Sequence, residues 1–384
     1  MASDFESLET RIIHAGEPDP FAGAVVLPIF QSSTYLTFKA DSYHDQGYIR
    51  LNNTPNHEAL HAKIASLEGT EDALVAGSGM AAISTALLTV LKSGDHFLAI
   101  NCLYGGTHAL VTKDLPDFGI ESTFFDAGRP ETWEGLLRKN TRAIYVESLT
   151  NPLLQVPDLP AVIEFAQKHD LVTLIDSTFT SPVNFRPAEL GFDLVLHSAT
   201  KYYNGHDDIV AGVVAGKKAL VERVKHRLNH LGGTLDPHAC FLLHRGMKTM
   251  AVRVRAQNES SLTVAKGLEA HPKVTRVHHP GLESHPQHAR ARELFSGTGG
   301  MLSFELEGGV AAADKMLSRV RIPYVAPSLG GVESLITRPA LTAHKSLTPE
   351  ERKAFGIAEG LIRLSVGLEH PDEILADLVR AIEG

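Results

Sequence analysis

The chain has 384 residues, of which 43% are hydrophobic and 21% charged, a globular composition long enough for two or three domains, which excludes a disordered chain and a small stapled scaffold. Lys and Arg number 36 against 45 Asp and Glu, a net charge of -9, and no basic stripe offers a seat for nucleic acid or an anionic membrane. The two cysteines, Cys102 and Cys240, have no second Cys at metal-ligand spacing, so neither a disulfide framework nor a thiolate zinc site is expected, and a reducing cytoplasm fits.

The N-terminal stretch MASDFESLETRIIHAG carries Asp4, Glu6 and Glu9 and no apolar run, which argues against secretory or organellar targeting. No segment approaches the roughly 20 apolar residues of a membrane span. From about residue 56 to 216 helical and strand-like runs alternate, the pattern of a parallel sheet covered on both faces. A helix is predicted from Asn56, where Leu60, Ile64 and Leu67 recur at helical spacing and Gly69 stops it. A second runs from Gly79 to Leu91. Buried strands are predicted at FLAI before Asn101, AIYV before Glu147, LVTLI before Asp176, DLVLH before Ser198 and IVAGVVAG after Asp208. Their polar endings are where chemistry is expected, since ligands of open α/β sheets gather outside the carboxyl ends of the strands.

From Lys217 to about Ala270 the chain reads as helical, interrupted at LGGTLDPH. Beyond it, strand patterns MLSFEL and LIRLSVGL mix with helical patterns AADKMLSRV and the last dozen residues, which predicts a smaller α+β domain with an antiparallel sheet. The resulting division is an N-terminal arm over 1–55, a large α/β domain over 56–255 and a C-terminal α+β domain over 256–384.

The most informative segment is SATKYYNGH, where Lys201 follows a buried strand beside Ser198, Thr200, Tyr202 and Gly205. A partly desolvated lysine is a nucleophile able to condense with a carbonyl cofactor. Upstream, Asp176 closes the LVTLI strand, and a carboxylate there can pair with a pyridinium nitrogen. The segment GSGMAAIS puts Ser78, Gly79 and Met80 at a helix N-terminus, where free N–H groups and the helix dipole favour a phosphate. Neither the G-x-G-x-x-G spacing of a dinucleotide site nor a following G-K-[ST] is present. Each signal has an ordinary structural reading, but a phosphate cradle, a pyridinium acid and a strand-end lysine in this order point to pyridoxal phosphate.

The motifs SGMAA, LYGGT, ESLTNP, DSTF, SATKYYNGH, SLGGVESL and LIRLSVGLE resemble the Cys/Met-metabolism (transsulfuration) family of pyridoxal-phosphate enzymes over nearly the whole chain. The resemblance implies the type I fold of these enzymes, with a mainly parallel seven-stranded sheet, helices on both faces and a smaller C-terminal α+β domain. It implies that Lys201 carries pyridoxal 5'-phosphate and shuttles protons, that Asp176 pairs with the ring nitrogen, and that Tyr104 stacks on the ring and assists proton transfer. Ser78, Gly79, Met80, Thr178, Ser198 and Thr200 would complete the cofactor site, with Tyr48 and Arg50 of GYIR reaching it from a neighbouring subunit of a homotetramer built as a dimer of dimers. Asn151 would serve both cofactor and substrate, and Arg363, beside Ser328, would grip the substrate carboxylate with two bonds.

The departures bear on the reaction. The stretch LNNTPNH is apparently one residue longer than the family's usual turn, so that Asn52, Asn53 and Asn56 could alter substrate choice. Gly106 stands where methionine γ-lyases typically carry a cysteine, and Pro327 where many γ-lyases and bacterial γ-synthases have Glu. The stretches RIPYVAPSLGGVES and TAHKSLTPEERKAFGI are closest to plant-type cystathionine γ-synthases, and Lys345 could help an anionic leaving group. The expected activity is therefore γ-replacement of an activated homoserine ester by cysteine. Cystathionine γ-lyase is the alternative, then β-lyase; outside enzymes, the alternative is an inactive scaffold. The 20 histidines include His57 and His61 at i, i+4 and a group at His278, His279, His285 and His288, but this spacing does not make ligands converge and no metal is expected. His197 and His206 read as supports of the pocket.

Overall fold

The computed structural model describes residues 5–36, 46–345 and 347–384. After a short helix α1 (Leu8–His14), helix α2 (Pro55–Glu68) begins with proline in its first turn, where the missing N–H costs nothing, and ends on Gly69 at φ 69°. Strand β1 (Asp72–Ala76) leads through Ser78 into helix α3 (Gly79–Val90), and the Ser78 hydroxyl caps the helix by accepting the N–H of Ala81.

The remaining strands of the large sheet are β2 (His96–Ile100), β3 (Glu121–Phe125), β4 (Thr141–Glu147), β5 (Val172–Asp176), β6 (Leu194–Ser198) and β7 (Gly212–Gly216). Their order is β1-β7-β6-β5-β4-β2-β3, parallel except for β7, which is antiparallel to both neighbours. The mainly parallel seven-stranded sheet expected from sequence is present. Strands β1 and β3 are not among those expected. The sequence ESTFF of β3 is largely polar and partly exposed at the sheet edge, so it lacks the continuous apolar run of a central strand.

A second sheet comprises β8 (Val274–His278), β9 (Met301–Leu306), β10 (Tyr324–Val325), β11 (Leu335–Thr337) and β12 (Ile362–Ser365), in the order β10-β11-β12-β9-β8; all pairs are antiparallel except β10 with β11. Each sheet has its own apolar core. The twenty-residue helix Met250–Glu269 joins them, burying Met250, Ala251 and Val254 in the larger core and Val264, Ala265 and Leu268 in the smaller.

The chain before α2 is pinned by charge. Lys63 of α2, fully buried, donates to the carbonyls of Ile12 and Ile13 and lies 3.2 Å from Glu17 Oε1, which also meets His244 at 3.0 Å and Lys248 at 3.3 Å. Burial by itself raises the Glu17 carboxyl, but the His244 side-chain contact and the nearby Lys63 and Lys248 outweigh it and hold it at about 2. Among the described residues no helix is long and apolar enough to cross a membrane.

Candidate active site

Three parallel strands end in polar residues at one edge of the large sheet. Glu147 closes β4 and lies in register with Asp176, which closes β5, while β6 ends at Ser198. Thr178 ties this edge together. Its backbone N–H and its hydroxyl both donate to Asp176 Oδ1, and its hydroxyl accepts the N–H of Ser198 at 2.8 Å. Burial raises the Asp176 carboxyl above the ordinary range, against the Thr178 hydrogen bonds and the charge of His197.

Lys201 sits on the turn after β6. Behind it, Arg253 donates from its guanidinium to the carbonyls of Tyr202, Asn204 and Gly246, and the fit is so close that a Cβ on Gly205 (φ 70°) would overlap Arg253 Nη1 at 1.7 Å. The turn is thus built on a buried cation that satisfies the Tyr202 and Asn204 carbonyls, which no strand or helix takes up. Lys201 Nζ donates to Ser328 Oγ at 2.7 Å. Burial, then the nearby Arg363 guanidinium, lowers its pKa, and Asp207 opposes this. The amine therefore gives up its proton more readily than a solvated lysine.

Arg363 comes from the smaller sheet, on β12 between Thr337 of β11 and Ser303 of β9. It is buried, donating to Asn151 Oδ1 at 3.1 Å and to the Ser328 carbonyl at 3.2 Å. Both sheets thus contribute to one cavity of about 600 Å³, lined by Ser78, Gly79, Met80, Tyr104, Asn151, Asp176, Thr178, Ser198, Thr200, Lys201, Ser328 and Arg363, with Ile83, Phe179, Val210 and Leu329 supplying apolar wall. Glu147, which the sequence reading uses only to bound a strand, is also here. It carries the same signal as Asp176, a carboxylate at the carboxyl end of a parallel strand.

Two expected residues lie elsewhere. In their own chain Tyr48 and Arg50 stand outside this cavity: the Arg50 guanidinium is 5.2 Å from the Tyr48 ring centre and donates to the Asn229 carbonyl. Asn52 is buried and donates to Thr234 Oγ1, and the Asn56 side chain accepts the N–H of Phe30 and donates to the Pro28 carbonyl. Within one chain Asn56 is committed to holding backbone and Asn52 to the side chain of Thr234. His197 Nε2 lies 2.7 Å from Glu68, and His206 Nδ1 lies 2.7 Å from the Asn204 carbonyl. Pro327 lines the cavity. At Gly106 a Cβ would lie 2.6 Å from Tyr104 Cε1, so a larger residue there must displace the ring.

The family model of Cys/Met metabolism PLP-dependent enzymes matches residues 9–383. The chain belongs to this family. Among curated members, L-methionine gamma-lyase of Porphyromonas gingivalis is 41% identical, with 97% of this chain and 96% of that protein covered. Cystathionine gamma-lyase of Bacillus subtilis is 42% identical, with 98% and 99% covered. Among solved structures, cystathionine gamma-lyase from Lactobacillus plantarum complexed with L-serine superposes with a TM-score of 0.93 at 38% identity, covering 98% of each chain. The fold is that of the type I pyridoxal-phosphate enzymes, and pyridoxal 5'-phosphate is the cofactor of this Cys/Met-metabolism enzyme.

The residues present fit that cofactor. Gly79 gives up a side chain that would strike Ser198 Cβ at 2.8 Å, which brings the N-terminal end of α3 against Ser198 and leaves a small, N–H-rich cradle suited to a phosphate. Across the same cavity stand a desolvated amine, Lys201, and a buried carboxylate, Asp176, the two groups a carbonyl-bearing pyridine requires.

Proposed function

We propose that this enzyme is a γ-lyase that cleaves the Cγ–sulfur bond of an L-amino acid of the cystathionine type and, with consumption of one water, releases a thiol, 2-oxobutanoate and ammonia. The observation that carries the reading is the pairing of Lys201, an amine with a lowered pKa, with Arg363, a buried guanidinium that lines the same cavity and, like Lys201, is hydrogen-bonded to Ser328. A substrate α-carboxylate bonded to Arg363 would bring Cα toward the lysine. The names carried by the relatives above support elimination over the γ-replacement expected from sequence motifs. Gly106, with the Tyr104 ring packed against it, supports cystathionine over methionine, because the ring occupies the room a cysteine would need.

In this reading Ser78, Gly79, Met80, Ser198 and Thr200 hold the phosphate, Thr178 and Asp176 hold the ring, and Tyr48 and Arg50 belong to a neighbouring subunit's site within a homo-oligomer. When bound, pyridoxal phosphate supplies the electron sink for charge that develops at Cα. Lys201, freed from carrying the cofactor, takes the Cα proton as its neutral amine and returns protons to the substrate carbons. Arg363 and Asn151 fix the carboxylate so that the amine and Cα meet. Tyr104, at the cavity mouth, stacks on the ring and lends its phenol to the leaving group.

A second reading, γ-replacement, retains support from Pro327, which puts no carboxylate beside the SLGG turn to receive the distal ammonium of cystathionine. The test compares 2-oxobutanoate release from cystathionine with cystathionine formation from O-acetyl-, O-succinyl- or O-phosphohomoserine plus cysteine, at matched concentrations. Faster cleavage is the expected result; faster synthesis with any ester overturns the lyase reading.

A further inference from the structure

The turn that carries Lys201 is gripped from a second side. Glu68, the last residue of α2, is buried, and its Oε1 is the meeting point of two side chains: His197 Nε2 at 2.7 Å, and the Tyr203 hydroxyl, which donates to it. His197 and Tyr203 are buried too, with their ring centres 4.9 Å apart and their planes inclined at 66°. His197 belongs to β6 and precedes Lys201, while Tyr203 follows it on the turn. One carboxylate oxygen therefore closes a loop around the segment that holds Ser198, Thr200 and Lys201. The other oxygen, Oε2, has no hydrogen-bond partner among the described residues, so the polar hold of this side chain runs to the lysine's own segment.

We infer that Glu68 is a positioning residue for Lys201, fixing through His197 and Tyr203 the direction from which the amine meets the cofactor's carbonyl. A buried ion pair is a weak device for stability, because taking both charges out of water offsets much of their attraction, and apolar side chains of similar shape can fill the same space. What the clasp supplies is aim. Burial, with the Glu68 charge beside it, raises the Tyr203 hydroxyl well above its ordinary range, so the phenol keeps its proton and remains the donor.

The two grips on the turn are complementary. Arg253, from the helix Met250–Glu269, takes the backbone carbonyls of Tyr202 and Asn204, whereas Glu68 takes side chains on either side of Lys201. His197 also directly precedes Ser198, whose N–H is bound to the Thr178 hydroxyl and through it to Asp176. The clasp thus sets the lysine against the strand edge where the ring would lie. The inference rests on the proposed role of Lys201 as the residue that carries pyridoxal phosphate.

The experiment compares Tyr203→Phe, Glu68→Leu and Glu68→Gln with the starting protein, and Lys201→Ala is the control. Protein stripped of cofactor is mixed with saturating pyridoxal phosphate, and the rate at which visible absorption returns is measured per folded molecule. Tyr203→Phe keeps the ring and loses one link, so its attachment rate and its kcat on cystathionine should each fall about threefold, with KM little changed. Glu68→Leu loses both links and should fall about tenfold or more in both. Glu68→Gln still offers an oxygen to Tyr203 and should recover most of that loss. A merely structural Glu68 would lower the unfolding midpoint and leave the attachment rate of the folded molecules unchanged. Attachment at the starting rate in Tyr203→Phe, or Glu68→Gln as slow as Glu68→Leu, overturns the inference. If Glu68→Leu does not fold, Tyr203→Phe decides the matter, slow attachment supporting the clasp. The control keeps the two claims apart: a Lys201→Ala protein that regains the full visible band sinks Lys201 as the point of attachment, while its loss of the band beside a Tyr203→Phe at the starting rate sinks only the clasp.

Discussion

Glu147 Oε1 accepts the backbone N–H of Tyr104 at 2.6 Å, binding the end of one buried strand to the residue that overhangs the cavity. Burial, and then the charge of Asp176 beside it, raises the Glu147 carboxyl well above the ordinary range. Glu147→Gln preserves a carbonyl acceptor and should keep activity within about threefold, whereas Glu147→Ala strands a buried N–H at a cost of about 1–3 kcal/mol. Because the folded protein holds this proton more tightly than the unfolded chain does, this group's contribution to stability falls as pH rises above the usual carboxylate range. Thermal unfolding of Glu147→Gln against pH checks the sign: the variant should lose less stability than the parent from mildly acidic to neutral pH.

Lys201→Ala should abolish turnover and the visible absorption that the cofactor gains on attachment to the protein. The phosphate cradle at Gly79 and Ser198 remains, so cofactor should still bind, released freely on dialysis. Absorption spectra before and after dialysis, with an assay for 2-oxobutanoate, settle the matter, and a retained band would remove Lys201 from the cofactor's attachment.

Arg363 already spends hydrogen bonds on Asn151 and the Ser328 carbonyl, and a guanidinium can do so while still presenting a planar pair of donors. An ammonium cannot. Arg363→Lys should raise KM about tenfold or more for every amino-acid substrate, with a smaller change in kcat. An unchanged KM would mean that the carboxylate binds elsewhere.

Arg50 stands outside the cavity of its own chain, and the shared-site reading gives it work in a neighbour. Arg50→Ala and Lys201→Ala proteins are each expected to be nearly inactive. Refolded together at equal amounts, they should recover on the order of a quarter of the parent activity, since one site in each mixed pair keeps both residues. Mixed oligomers without recovery would refute the shared site.

Glu17 couples to stability with the opposite sign to Glu147. Its carboxyl is held at about 2 against an ordinary 4.5, so its contribution is complete above the ordinary value and is lost as pH falls from about 4.5 toward 2. Glu17→Gln, which leaves the buried Lys63 with only carbonyl partners, should cost about 2 kcal/mol near neutral pH. The difference in unfolding midpoint from the parent should shrink below pH 4; a constant difference would count against the ion cluster.

The parts of the site that are legible in sequence are those announced by local chemistry. Asp176 and Ser198 end apolar runs, Lys201 follows one, and Ser78 precedes a helix, so strand and helix ends disclose them. What is not legible is pairing at long range. Nothing near Ser328 in the chain says that its hydroxyl meets Lys201, 127 residues away, and Glu147 reaches Tyr104 across 43 residues. The smaller sheet is read only where its strands are apolar, at β9 and β12. Strand β10 has two exposed residues and β11 only three, too few for a period to show.

The helix Met250–Glu269 is a single rod, on the order of 30 Å long, with one end seated in each apolar core. A molecule braced in this way has no slack seam along which to part. Loosening the smaller sheet withdraws the footing of Val264, Ala265 and Leu268, and the fraying helix carries that slack back to Arg253, which clamps the turn behind Lys201. Damage to the smaller sheet would therefore show itself as a poorly aimed lysine before it showed itself as an unfolded chain.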